Sequence, residues 1–295
     1  MTDTTDTVDK YWDRRAQSFV GRCSSQATKG KKMMWRASDL KGCAIRAADG
    51  SIGSIVDLLF QEQDWTIRWA VVDTGTWIPG RQVLLPPSVL GPLDRIHREI
   101  PVNLTREQVK GSPGVETDEP VSRRMEADVY SYYGWDPYWG GGVGYAPVSQ
   151  PVGAAGVVPP PAGPRYPRPV APDAEGQEQQ GDPNLRSIDE VTGYYIKATD
   201  GDIGHVEDFV VDEENWRVRY LVVDTKNWWP GKKVLVSPDW VQDISWSEQN
   251  AFVALTREKV KNSPEYHPES AVDRDYEQQL YGHYGYPIYW GAGTV

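Results

Sequence analysis

Two carboxylates stand where a strand would bury an apolar face. Asp57 lies in Ile55-x-Asp57-x-Leu59 and Asp208 in Val206-x-Asp208-x-Val210, and residues two apart on a strand share a face. A carboxylate among aliphatic neighbours needs a partner. Arg68 and Arg219 occupy matching sites on the following strand, opposite the aspartates if the intervening loop spans about four residues. The arrangement reads as two structural ion pairs, Asp57 with Arg68 and Asp208 with Arg219, or as carboxylates that satisfy backbone amides. A proton relay is the competing chemistry. Asp73-Thr74 and Asp224-Thr225 end a strand before a turn, where an aspartate ordinarily satisfies turn amides.

The remaining reactive side chains do not converge. Asp57 and Asp208 are 151 residues apart, and at that distance from His97, His205, His267 and His283 stand Glu248, Ser54, Glu116 and Tyr132. No histidine is duplicated, and none has the close spacing of metal ligands. Cys23 and Cys43 have neither a histidine nor another base beside them in sequence, and the chain carries no Gly-x-Ser-x-Gly, phosphate loop or dinucleotide fingerprint. The expectation is a non-enzymatic protein with no catalytic residue, no metal and no cofactor.

The distance between the two aspartates is the period of the chain. Asp49-Gly50-Ser51-Ile52-Gly53 returns as Asp200-Gly201-Asp202-Ile203-Gly204, Val71-Val72-Asp73-Thr74 as Val222-Val223-Asp224-Thr225, and Leu104-Thr105-Arg106-Glu107 as Leu255-Thr256-Arg257-Glu258. A period this long is a domain duplication, since solenoid units run to about 20–50 residues. Each copy reads as short strands separated by turns: Cys43–Ala47, Ile52–Phe60, Thr66–Val72 and Gln82–Leu85, with Tyr194–Ala198, Ile203–Val211, Arg217–Val223 and Lys233–Val236 in the second. The Asp-Gly pairs are hairpin signals. Ile96–Val102 is an ill-defined fifth strand, and Asp243–Leu255 looks like a hairpin around Ser247–Asn250. Helices are expected after Thr105 and Thr256, and over Ser122–Tyr133 and Ala271–Tyr284.

The fold class is therefore mainly β, two small antiparallel barrels or sandwiches in tandem, each followed by a short helical, aromatic-rich tail. Residues 1–33 read as a flexible leader, 34–140 as the first repeat with its tail, 141–184 as a Pro/Gly-rich disordered linker and 185–295 as the second repeat with its tail. Net charge is −11, and residues 185–291 alone hold 11 basic and 19 acidic groups. That balance argues against nucleic acid as a partner. No secretory signal or membrane-length apolar run is present, so the expected location is the cytoplasm.

Aromatic residues carry the stronger case for binding. Trp77-Ile78-Pro79-Gly80 and Trp228-Trp229-Pro230-Gly231 are turns that present large rings, and Tyr138-Trp139 and Tyr289-Trp290 close the two tails. Trp77, Tyr138, Trp139, Trp228, Trp229, Tyr289 and Trp290 are interface candidates, because Trp and Tyr are common anchors of partly wet contacts. Three destinations are open to the tails: their own barrel, the opposite barrel in an internal pseudo-dimer, or a foreign protein.

The order Ser-Asp-Leu-Lys-Gly or Ile-Asp-Glu-Val-Thr-Gly, Asp-Gly-x-Ile-Gly, Val-Val-Asp, Trp-x-Pro-Gly and Leu-Thr-Arg-Glu, found twice, resembles the PRC-barrel family over Trp35–Lys110 and Arg186–Lys261. That family includes the cytoplasmic domain of the photosynthetic reaction-centre H subunit and a domain of a ribosome maturation factor. The resemblance implies a binding or assembly protein with a protein partner, a homo-oligomer or a pseudo-dimer. It also implies an alternative, an H-subunit-like accessory that is peripheral to a membrane complex, linked to photosynthesis, and modulates electron and proton transfer without inserting into the bilayer. The proton-relay reading of Asp57 and Asp208 draws on that alternative.

Overall fold

The computed structural model describes residues 34–115, 121–139, 184–225 and 232–290. The expected leader, nearly all of the expected linker, and Trp228 and Trp229 lie outside these residues.

The first repeat opens with β1 (Met34–Arg36) and one turn of helix, α1 (Ala37–Leu40), then runs through β2 (Ala44–Ala47), β3 (Gly50–Gln61), β4 (Ile67–Asp73), β5 (Gln82–Leu85) and β6 (Glu99–Pro101). Two helices follow, α2 (Arg106–Gly111) and α3 (Arg123–Tyr133). The second repeat copies this order with one strand added, as β7 (Leu185–Ser187), α4 (Ile188–Val191), β8 (Tyr195–Ala198), β9 (Gly201–Asp212), β10 (Val218–Asp224), β11 (Lys233–Val236), the added β12 (Val241–Ser245), β13 (Asn250–Val253), α5 (Arg257–Lys261) and α6 (Arg274–Tyr284).

The duplicated motifs are two sides of one contact. Gly50 and Gly201 turn their hairpins at φ +141° and +135°. A Cβ on Gly50 would stand 3.1 Å from the Arg106 side chain, so glycine serves both the turn and the close approach. Beside it Asp49 Oδ1 accepts from the Arg106 amide at 2.8 Å, and Asp200 does the same for Arg257 at 2.8 Å. Thr105 caps α2 by accepting from Gln108 N, and Thr256 caps α5 by accepting from Lys259 N. The Asp-Gly hairpin and the Leu-Thr-Arg-Glu segment recur together because each is the docking site of the other.

The sheets depart from the antiparallel expectation at one place in each copy. The order is β5-β4-β3-β2-β6 in the first and β11-β10-β9-β8-β13-β12 in the second, and β2 with β6 and β8 with β13 are parallel. After β5 and β11 the chain crosses back through a 3-10 turn at Pro87–Val89 or Pro238–Trp240, so the last segment arrives beside the first strand in its own direction. Among the described residues no ladder joins the end strands of either sheet, so the expected closed barrels are open in their hydrogen bonding.

Both faces of the β3–β4–β5 sheet are covered, which makes β4 (IRWAVVD) an almost unbroken buried strand. One face, with Ile55, Ala70 and Val72, joins a core that continues through Phe209, Val210 and Tyr220 of the second repeat. The other, with Leu59, Trp69, Val71 and Leu84, is closed by Val129 and Tyr130 of α3.

Most consequential is what happens to the entry strands. β1 of the first repeat pairs antiparallel with β9 of the second, Trp35 opposite Val211, and β7 of the second pairs with β3 of the first, Phe60 opposite Arg186. Each sheet is completed by a strand from the other repeat. The exchange is reinforced where the two β3–β4 and β9–β10 turns meet: Ile67 N donates to Trp216 O and Val218 N to Trp65 O, both at 2.8 Å. Trp65 and Trp216 hold φ of +57° and +54°, a left-handed conformation uncommon for a bulky residue. The Trp65 ring is stacked 4.8 Å from Phe60, and Phe60 meets Phe209 across the seam at 6.3 Å.

Candidate interaction site at the seam of the repeats

Asp57 and Asp208 face the seam, and each serves the other repeat. Asp57 Oδ2 accepts from Ser187 Oγ at 2.5 Å, and its Oδ1 accepts from the amides of Asp189 at 3.4 Å and Leu58 at 2.8 Å. In return Asp208 Oδ2 accepts from Ser38 Oγ at 2.5 Å, and its Oδ1 from the amides of Ser38 at 3.2 Å and Phe209 at 2.8 Å. Ser38 and Asp189 are the second residues of α1 and α4, so each aspartate satisfies an otherwise orphan amide in the first turn of the opposite repeat's entry helix. The hydroxyl differs in position, Ser187 preceding its helix while Ser38 lies within it, and the carboxylate reaches both.

The expected pairs with Arg68 and Arg219 do not form. A register shift between Ile55 and Asp57 places Asp57 opposite Val71, so Arg68 lies further along the hairpin than an unbulged strand would put it. Arg68 bonds Asp64 at 2.7 Å and Gln61, and Arg219 bonds the buried Asp212 at 3.0 Å. All four residues are thus partnered, the arginines within their own repeat and the aspartates across the seam. Further polar contacts flank them: Lys41 with Asp189, Arg186 with Glu62 at 3.0 Å, and Gln63 with Asn184 at 2.6 Å. Lys41–Asp189 and Gln63–Asn184 are exposed and Arg186–Glu62 is half-buried; exposed pairs of this kind add about 0–1 kcal/mol, and the ladders and apolar core carry the joint.

Burial raises the Asp57 carboxyl above its ordinary value; the Ser187 hydroxyl opposes the shift and the Asp189 charge adds to it. The folded chain then holds the proton more tightly than the unfolded chain, so this contribution is present below the ordinary aspartate range and lost as pH rises through the raised pKa. Asp57→Asn removes the ionisation. The melting temperature of this variant relative to wild type is therefore expected to improve as pH rises through and above the ordinary aspartate range. Paired thermal scans check it, and a constant or shrinking relative stability overturns the assignment.

Two buried glutamates were not anticipated from the sequence. Glu277 Oε1 accepts from the Tyr220 hydroxyl at 2.8 Å and the Tyr289 hydroxyl at 2.7 Å, while Oε2 meets Arg274 Nη1 at 2.9 Å. In the first repeat Glu126 Oε1 accepts from Trp69 Nε1 at 2.6 Å and the Tyr138 hydroxyl at 3.2 Å. Burial pushes the Tyr220 hydroxyl far up, with negative and phenolic neighbours adding to it, so it remains a donor at any physiological pH. The signal was available: Arg123-x-x-Glu126 and Arg274-x-x-Glu277 repeat in register while the residues between them do not.

These glutamates decide where the tails go. Tyr138 and Trp139 pack on Tyr130 of their own helix, centroids 6.4 and 5.3 Å away, and Arg123 lies 4.3 Å over Trp139. Tyr289 and Trp290 pack 5.9 Å from Tyr281, with Arg219 4.4 Å over Tyr289. The tails lie against their own repeats, the first of the three destinations open to them and not the crossing one: the seam is made by entry strands, and the Tyr hydroxyls are anchored to a carboxylate on the same helix. Trp77 is half-buried beneath Arg106, which stacks 4.6 Å over its ring. Among the described residues no cluster of His, Cys, Asp and Glu has the makings of a metal site.

The model of the PRC-barrel domain family matches residues 33–109 and 184–257, just over half of the chain. The protein belongs to that family and carries its domain twice. No curated protein matches the chain.

Proposed function

We propose that the chain is a non-enzymatic binding and assembly protein whose two PRC-barrel repeats act as a single rigid body. The observation that supports this reading is the reciprocal exchange of β1 and β7. It fixes two versions of one fold in a set mutual orientation, so a partner that engages one repeat meets the second without a further cost of bringing it near. The family is one of binding and assembly modules, and that coarser role fits both copies. The H-subunit-like role rests on the resemblance alone. Among the described residues no helix is long and apolar enough to cross a membrane, and such a role is therefore drawn as peripheral.

The test uses the intact chain immobilised on resin and challenged with native lysate. A defined protein retained in near-stoichiometric amount by the whole chain, and released by excess free chain, is expected. Retention of nothing beyond a blank resin, together with turnover in a broad substrate screen, overturns the reading.

A further inference from the structure

At the seam the two repeats differ in one respect that their shared fold does not require. The first repeat borders a half-open cavity of about 350 Å³ whose lining includes Asp39, Cys43, Arg95 and Arg98, with Val210, Tyr266 and Pro268–Val272 of the second repeat on the other side. The residues 151 positions on are Glu190, Tyr194, Trp246 and Gln249. There Tyr194 is 2% exposed, its ring lies 6.1 Å from Trp246, and its hydroxyl is 3.4 Å from Glu190 Oε1 and from the Trp246 carbonyl. The second repeat thus fills with a phenol the place where the first has the small thiol of Cys43, itself fully buried, with the cavity beyond it.

The stacked pair beside the space survives with its members exchanged. Arg186 lies 4.1 Å over Trp246 in the second repeat, and Arg95 lies 4.1 Å over Trp35 in the first; Trp35 and Arg186 are equivalent, as are Arg95 and Trp246. The exchange moves a guanidinium to the cavity wall. Arg98, which replaces Gln249, adds a second; its Nη2 donates to the Lys41 and Asp39 carbonyls at 2.9 and 3.4 Å, and no carboxylate binds it among the described residues. The acids nearby are otherwise engaged or peripheral. Asp39 is held by Arg36 at 2.8 Å, Glu213 faces Trp35 and Arg95, and Glu269 sits at the exposed rim. Burial raises the Cys43 thiol, against the pull of Arg98, and its Sγ donates to the Asp39 carbonyl at 3.0 Å, so the floor is a neutral, polarisable surface.

We propose that this cavity binds a one-ring aromatic carboxylate, its ring on the Cys43 side, toward the place the second repeat fills with Tyr194, and its carboxylate on Arg98. A few placed polar groups beside apolar side chains orient a small ligand, and a guanidinium receives a carboxylate through paired hydrogen bonds. The inference goes beyond the assembly role and stands independently of it.

The experiment titrates the full chain with benzoate, with phenol and with inorganic phosphate, by calorimetry and ligand-observed NMR. Benzoate is expected to bind saturably at one site and more tightly than either control by about tenfold. Cys43→Tyr, which writes the second repeat's own solution into the first, should weaken benzoate by at least about tenfold. Arg98→Gln, again the second repeat's residue, should weaken benzoate and leave phenol unchanged. Failure of benzoate to saturate, phosphate binding as tightly as benzoate, or full affinity in a folded Cys43→Tyr variant each overturns the proposal; if Cys43→Tyr does not fold, Arg98→Gln decides, and unchanged benzoate affinity there overturns it.

Discussion

Cut between residues 150 and 151, the two halves of the chain should remain a one-to-one complex through gel filtration. Neither half holds a complete sheet. The first owns β3 without β7, which covers its last residues, and the second owns β9 without β1. Separation would also expose Phe60 and Phe209, both fully buried in a core that runs unbroken across the seam. At about 25 cal/mol per Å² of apolar surface returned to water, an interface of ordinary size is enough for affinity tighter than about micromolar. Halves expressed separately and mixed should recover the same complex. Independent elution of two folded monomers would show that the exchanged strands are incidental to stability.

Glu277→Ala should be the most damaging single substitution outside the seam, lowering stability by about 3–5 kcal/mol. The carboxylate is 1% exposed and serves two hydroxyls and a guanidinium at once. Its loss strands Tyr220, itself fully buried, and unties Tyr289 from the helix. Glu277→Gln keeps an acceptor for both hydroxyls and loses only the charge on Arg274, so it should cost about 1–2 kcal/mol. Chemical denaturation of both variants distinguishes a network from a passive helix residue: equal midpoints for Ala and Gln would reject it. Because the network is internal to one repeat, the complex of severed halves should survive either change.

The duplication, the strand order of each copy and the helix caps were readable because they are local. The Asp-Gly hairpins, Thr105 and Thr256 announce themselves within a few residues. The aspartates were singled out as polar groups needing partners, yet their partners lay in the other repeat, and the register of the hairpin sets Asp57 opposite Val71, three residues from Arg68. Periodicity cannot show a one-residue register shift or say which of two identical sheets receives an entry strand. The same ambiguity left the destination of the tails open: Tyr138 and Tyr289 suit a wet contact between domains as well as they suit a carboxylate on their own helix. The acceptors, Glu126 and Glu277, sit on helices rich in charge, where a buried acid is masked by its exposed neighbours.

The exchanged strands also set the order in which the chain acquires its structure. Ser38 and Asp208 meet across a sequence separation of 170 residues, and contacts that distant are intrinsically slow to form. During synthesis the first repeat emerges with the edge of β3 uncovered and its own β1 without a place to go until β9 has been made. For that interval the nascent chain offers a free edge and a complementary strand, the two halves of a domain swap. The first repeat is therefore completed only after β9 of the second has been made, and the covering of its edge waits on the later half of synthesis.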